Sequence, residues 1–247
     1  MRVIGILWLR QLIRQWRSRA RIIGALGQPL LFLLSFGFGF GPVFARAGAG
    51  NYLQFLAPGV IGMGVVFSGM FSGMDLIWDK QFGFLRETLV APVPRWQIML
   101  GRTAGGATVA MLQGLLVALA CVPVGFRPAS LTQLPLALTF VALTAFMFTA
   151  LGTGIASLVE DFHAFPLIMN FLVMPLFFLS GALFPLNGTG TLGVIATFNP
   201  VAYAVDGLRG SLTGTWHFGA SLDLAVMGLV TLAFLGVGTL LFERVEA

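Results

Sequence analysis

Apolar runs separated by short polar stretches set the frame of this chain. A helix needs about 20 apolar residues to cross a bilayer. Six runs come close to or exceed that length: residues 22–44, 53–78, 103–126, 134–159, 164–184 and 222–242. The one long polar interruption in the first half is 79–102, DKQFGFLRETLVAPVPRWQIMLGR. Within it Trp78, Phe82, Leu85 and Leu89 recur at helical spacing and share a face, which predicts an amphipathic helix. Pro92 and Pro94 end that helix, because proline lacks an N–H and clashes with the preceding turn. Pro94 then suits the first turn of the next one.

Residues 1–21 show a second amphipathic pattern. Arg10, Arg14, Arg17 and Arg21 form one stripe, with Trp8, Leu12 and Trp16 opposite. Such a helix is expected to lie in the interface, arginines toward lipid phosphates and tryptophans toward acyl chains. Residues 185–219 are too polar and glycine-rich to span, yet too apolar for a free loop. Asn199 is placed to cap a helix starting at Pro200, in which Val201, Val205, Leu208 and Leu212 share a face. Asp206 and Arg209 are spaced to pair. A re-entrant helix, sheltered by protein, is the expectation. Asn187-Gly188-Thr189 fits a glycosylation sequon.

Composition agrees with the pattern. The chain has 247 residues, 57% hydrophobic and 9% charged, too little polar surface for a soluble domain. The expected fold is an all-α membrane protein in a single domain. It comprises an interfacial helix (1–21), a six-span bundle (22–242) and a cytoplasmic tail (243–247). Lone Cys121 falls in a span and can form no internal disulfide. Gly69 and Gly73, and again Gly101 and Gly105, have the small-residue spacing of close helix packing. The alternation FGFGFG at 36–41 also permits close approach. Thr139, Thr144, Thr149, Thr153 and Ser157 run along one span, where hydroxyls usually bond back to their own helix.

Charge fixes an expected orientation. Eleven of the fourteen basic residues fall in 1–21, 79–102 and the tail, and only Arg46, Arg127 and Arg209 on the other side. The positive-inside rule puts both termini and 79–102 in the cytoplasm, and 185–219 outside. A net charge of +5 in so apolar a chain suits lipid headgroups. No polar segment interleaves basic residues with stacking aromatics, so nucleic acid is not an expected partner.

Several chemistries lack their residues. The only lysine, Lys80, follows no glycine-rich turn, so no P-loop is present. There is no HExxH, and His163 and His217 lie far apart, which predicts no metal site and no hydrolytic pair. Asp75, Glu160 and Asp223 all sit near span ends. Ion-coupled carriers keep a charged residue at mid-membrane, where the coupling ion binds. Energy for uphill transport would have to come from another chain.

Three segments, in order, resemble the permease subunits of type-2 ABC exporters of the daunorubicin-resistance kind. FLRETLVAPVPRWQIMLGR is similar to their loop after the second span. LIMNFLVMPLFFLSGALFP (167–185) is similar to their fifth span, and FNPVAYAVDGLRG (198–210) to their outer re-entrant helix. Gln28-Pro29 at the first span is also similar. The resemblance implies two six-span permeases, identical or homologous, paired with two ABC ATPase subunits that carry the ATP and magnesium. It makes residues 82–91 a coupling helix, with Phe82, Leu85, Arg86, Glu87 and Leu89 as contacts and Glu160 and Asp161 as a smaller second contact. It makes Asn199, Pro200, Tyr203, Asp206 and Arg209 the outer re-entrant element. The 24 phenylalanines and 10 methionines against 2 tyrosines favour an amphipathic drug or lipid as cargo. Polysaccharide or lipo-oligosaccharide export is the alternative within the family, and a non-ABC channel or scaffold the alternative outside it.

Overall fold

A lone serine separates the first two helices of the chain. In the computed structural model, α1 (Arg2–Arg17) ends at Ser18, whose carbonyl accepts from the Ile22 amide to start α2 (Arg19–Arg46). The remaining helices are α3 (Tyr52–Phe71), α4 (Met74–Gln81), α5 (Phe84–Val90), α6 (Arg95–Val124), α7 (Leu134–Leu158), α8 (Ala164–Phe178), α9 (Thr191–Thr197), α10 (Pro200–Thr213) and α11 (Ala220–Glu243). The structure describes residues 2–46, 50–90, 93–186 and 190–243, without the side chains of residues 2, 19–21, 45, 86, 87 and 89. The sequon at 187–189 and residues 244–247 of the tail lie outside the described residues, as do Ala91 and Pro92. No strand occurs among the described residues.

Among the described residues, five helical stretches are long and apolar enough to cross a membrane: Ile22–Phe44, Tyr52–Gln81, Arg95–Val124, Leu131–Leu158 and Ala220–Glu243. The expected fifth of six spans, 164–184, is shorter. Its helix α8 has 15 residues, about 22 Å at 1.5 Å per residue against a hydrocarbon core of about 30 Å. It stops after Pro175 because the chain turns at Gly181, which has φ +76°. Arg209 then takes the Gly181 and Ala182 carbonyls that a longer helix would have bonded internally.

α3 is the axis of the bundle, with 14 of its 20 residues buried. It packs against α2, α6, α7 and α10. The small residues expected to let helices approach do so here. A Cβ on Gly73 would strike the Gly152 carbonyl, and one on Gly152 the Met70 carbonyl. The α3–α4 segment and α7 thus meet backbone to backbone. Of the hydroxyls along α7, Thr139, Thr144 and Thr153 each donate to the carbonyl four residues back and Ser157 to that of Gly154, as expected. Buried Thr149 Oγ1, by contrast, has no partner among the described residues. The FGFGFG stretch departs from expectation. Phe32, Phe36 and Phe40 stack on one another along α2, and a Cβ at Gly39 or Gly41 would meet nothing within 4 Å.

The antiparallel course of the helices sorts the turns into two ends. One end gathers α1, α4, α5, the 159–163 turn and the last residues of α11, where Arg95 Nη1 donates to the Glu243 carbonyl at 2.5 Å. The other gathers the start of α3, the 125–133 turn, α9 and α10.

Close packing at Gly152 makes a direct prediction. Gly152→Leu should lower the thermal midpoint of detergent-purified protein by the equivalent of about 1–3 kcal/mol or more, the usual cost of overpacking. Gly39→Ala should leave the midpoint unchanged or raise it, since alanine is the better helix former. Fluorescence-detected size-exclusion chromatography after heating measures both.

Candidate functional site

The charged end is built on two acids of α4. Asp75 and Asp79 are four residues apart, so they share a face. Both are buried. Asp79 Oδ2 accepts from Arg102 Nη2 of α6 at 2.5 Å, and both side chains are 4% exposed. Asp79 Oδ1 accepts from Arg10 Nη2 at 3.0 Å and from Arg14 Nη1 at 3.5 Å. Arg14 Nη2 also donates to Asp75 Oδ1. One carboxylate therefore joins three helices, α1, α4 and α6.

This corrects the expected placement of α1. Arg10 and Arg14 were expected to reach lipid phosphates, but they turn inward to these acids. The reason is visible in α6. Gly101 and Gly105 leave a groove into which Ile4, Leu7, Trp8 and Gln11 settle. Leu7 is buried there, and Trp8 Nε1 donates to Thr108 Oγ1 at 3.0 Å. With α1 seated, its arginine stripe faces α4. Arg17 and Trp16 remain exposed, as an interfacial helix requires. The Arg21 side chain is outside those described.

The loop beyond α4 is also not one helix. Gly83 adopts φ +78°, a conformation that favours glycine. It separates α4 from α5, so the expected face through Trp78, Phe82, Leu85 and Leu89 is broken after Phe82. Phe82 stacks on Trp78 at 5.1 Å and is 62% exposed. Leu85 instead anchors α5 inward, at 3% exposure. Phe84 and Val90 present the open apolar face of α5. The Arg10 guanidinium lies 5.9 Å from the centre of the Phe84 ring, bringing α1 to α5 as well. The side chains of Arg86, Glu87 and Leu89 lie outside those described.

No local pattern pairs Lys80 with a distant helix. Its Nζ donates to the carbonyls of Ala156 at 3.0 Å and Ser157 at 2.6 Å. It thus caps the C-terminus of α7, where lysine complements the free carbonyls and the dipole. Trp78 meets the edge of Phe162 at 5.0 Å. Asp161 Oδ1 accepts from the His163 amide at 2.8 Å, shaping the turn, while Glu160 is exposed. The two stretches singled out as contact segments, 82–91 and 160–163, are therefore joined through α4 into one platform. The one available signal was Lys80 itself, the sole lysine, set at the apolar end of a span.

At the opposite end the capping expectation holds. Asn199 Oδ1 accepts from the Val201 amide at 3.0 Å, with Pro200 opening α10. Asn199 Nδ2 also donates to the Leu176 carbonyl at 2.6 Å, tying α10 to α8. The expected Asp206–Arg209 pair is not made, because each finds backbone. Asp206 accepts from the His217 and Phe218 amides, both at 2.8 Å. Arg209 donates to the Gly181 carbonyl at 3.0 Å and sits 3.8 Å from the centre of the Phe55 ring. Tyr203 stacks on Phe218 at 4.6 Å and donates to the Thr197 carbonyl. Twelve of the 14 residues of α10 are buried, so it is enclosed all round and not only along its apolar face. Among the described residues no group of three potential metal ligands occurs.

Comparison with known proteins places the chain. The family model for "ABC-2 type transporter" matches residues 2–213, and the chain belongs to that family. It is 26% identical over 248 residues to nodulation protein J of Rhizobium leguminosarum bv. viciae, covering 97% of this chain and 95% of that protein. It is 29% identical over 231 residues to the transport permease ycf38 of Porphyra purpurea, covering 90% and 78%. To ycf38 of Cyanophora paradoxa it is 28% identical over 253 residues, covering 97% and 87%.

Removing one charge from the buried pair should be costly. Asp79→Asn leaves Arg102 charged and without its counterion, a loss of about 3–5 kcal/mol for a buried pair. Arg10→Gln removes a partner that is 39% exposed, and surface pairs contribute only about 0–1 kcal/mol. Thermal unfolding of the two purified variants should rank them in that order by a wide margin. Equal midpoints would contradict the burial argument.

Proposed function

We propose that this ABC-2 type permease is the membrane-spanning half of an ATP-driven exporter in the cytoplasmic membrane. A separate ABC ATPase docks on the charged end and supplies the energy, and a second permease copy or homologue completes the path. The cargo is an amphipathic, drug- or lipid-like molecule. The assignment of the charged end to the cytoplasm follows from its eleven basic residues. The sixth crossing is made by α8 together with the turn at 179–184, and α9 and α10 form the outer re-entrant pair.

The observation that carries this is the platform. The α5 helix exposes Phe84 and Val90 while Leu85 is buried, and a chain without a P-loop needs such a contact to receive work. Movement pressed onto α5 reaches α4 across Phe82 and Gly83, then α1 and α6 through Asp79 and α7 through Lys80. Glu87 and Arg86 supply polar contacts on α5. Glu160 and Asp161 supply the second, smaller contact. Exposed Trp16 and Arg17 hold α1 at the lipid surface.

Reconstitution with the partner ATPase tests this. Glu87→Arg should reduce substrate-stimulated export roughly tenfold, about 1.4 kcal/mol of coupling, while basal ATP hydrolysis and the melting midpoint stay near those of the unaltered protein. Uphill export by the purified chain alone, without any ATPase, would overturn the proposal.

A further inference from the structure

Asp223 stands apart from the other buried acids of the protein. Asp75 and Asp79 are met by guanidiniums, and Asp206 by backbone amides. Asp223, in the first turn of α11, is 0% exposed, and no donor reaches either of its oxygens among the described residues. The ionisable groups it meets are the Tyr203 phenol and another acid: its carboxyl lies within hydrogen-bonding reach of that of Asp206 on α10.

The surroundings offer no second positive charge to balance such a pair. α11 packs against α6, α7 and α10. α7 carries no titratable side chain, and the neighbouring end of α6 carries only Cys121, a buried thiol. α8 and α9, which pack on α10, have none. α10 supplies Tyr203, Asp206 and Arg209, the turn before α11 supplies exposed His217, and α3 supplies Tyr52, which donates to the Leu183 carbonyl. Arg209 is held to the Gly181 and Ala182 carbonyls and over the Phe55 ring. Arg46 and Arg127 are exposed. The residues of this end outside the described ones, 47–49 and 187–189, are uncharged in the sequence.

Donor and acceptor roles then assign the missing partner. An ionised carboxyl only accepts, whereas a neutral one has an O–H to give. Asp206 accepts at both oxygens from the His217 and Phe218 amides, so it plays the acceptor. Asp223 accepts nothing, and a buried charge without partners is costly. Two like charges in contact cannot both persist in such a site. One proton on Asp223 removes both costs, because its O–H then donates to Asp206. A metal ion would need further ligands, and no group of three potential ones occurs among the described residues. Protons have a way in: a cavity of about 260 Å³, lined by Asp206, Trp216 and His217, reaches the pair from this end.

We infer that Asp206 and Asp223 form a one-proton site at the end of the bundle opposite the charged one, and that the shared proton fastens the first turn of α11 to α10. Asp206 also holds the amides just before α11. The proton therefore closes a ring from α10 through the 214–219 turn into α11 and back. Its loss sets two negative charges against each other and frees the first turn of α11. That the proton comes from the outer side rests on the orientation proposed above. The site itself depends on neither the ATPase nor the cargo.

The test uses the full chain in phosphatidylcholine nanodiscs and dicyclohexylcarbodiimide, an apolar reagent that captures protonated carboxyls. Labelled peptides are mapped by mass spectrometry across a pH series. At neutral pH Asp223 should label at least about tenfold faster than exposed Glu160, because an ordinary carboxyl is ionised there. On raising the pH its rate should fall about tenfold per unit once the proton leaves. Asp223→Asn, whose amide can donate to Asp206 in place of the O–H, should remove the label and keep the melting midpoint. Spin labels at Leu222→Cys on α11 and Leu192→Cys on α9, both exposed positions, read the fastening by double electron–electron resonance. Their distance distribution should broaden at alkaline pH, and should stay narrow when Asp223→Asn is added. An Asp223 no more reactive than Glu160, or one whose labelling ignores pH, overturns the inference. So does protection of Asp223 by sodium or calcium at fixed pH, which would mark a cation site, and so does alkaline broadening that persists with Asp223→Asn. No ATPase enters these measurements, so failure of the exporter proposal would leave their outcome unchanged.

Discussion

Asp79 is the point on which the charged end of the molecule depends. A carboxylate 3% exposed in an apolar bundle is tolerable only if its charge is met. Three guanidiniums from two other helices meet it or its neighbour Asp75. The consequence is geometric. An amphipathic helix that would otherwise float in the interface is fixed to the second and third spans. Because α4 also carries Lys80 into the C-terminus of α7, the same eight-residue helix holds a fourth element. Electrostatics here act less as a source of stability than as a way to make separate helices respond together.

The two ends of the bundle use charge differently. At the charged end ions pair with ions, across distances in sequence of 23 to 69 residues. At the other end Asp206 and Arg209 each bond backbone, and so hold the 214–219 and 179–184 segments in shape. The first arrangement links helices that are themselves regular. The second satisfies irregular backbone that a membrane would otherwise penalise.

Much of this was legible in the chain. Apolar length located five crossing helices, and Asn199-Pro200 located the start of α10 to the residue. Gly69, Gly73, Gly101 and Gly105 announced close approach, though the last two receive α1 and not another span. What escaped were features set by tertiary partners. Nothing local says that Arg10 prefers Asp79 to a phosphate, since both are anions at helical reach. Helical periodicity through Leu89 hid the break at Gly83, because a pattern of faces carries no information on φ. The short α8 was read as a full span since the six residues after it, 179–184, carry no charge and only one polar side chain, Ser180. They leave the helix because Gly181 turns and Arg209 claims their carbonyls. The meeting of Asp206 with Asp223 was invisible because the two carboxyls come from separate helices.

The central claim is that α1 and the α4–α5 segment move as one body through Asp79. Spin labels at Ile13→Cys on α1 and Phe84→Cys on α5, both exposed positions, report the distance between them by double electron–electron resonance in the assembled transporter. A single narrow distance that persists with and without nucleotide, and broadens only when Asp79→Asn is added, is the expected result. A distance that changes with nucleotide while Asp79 is intact would contradict the claim.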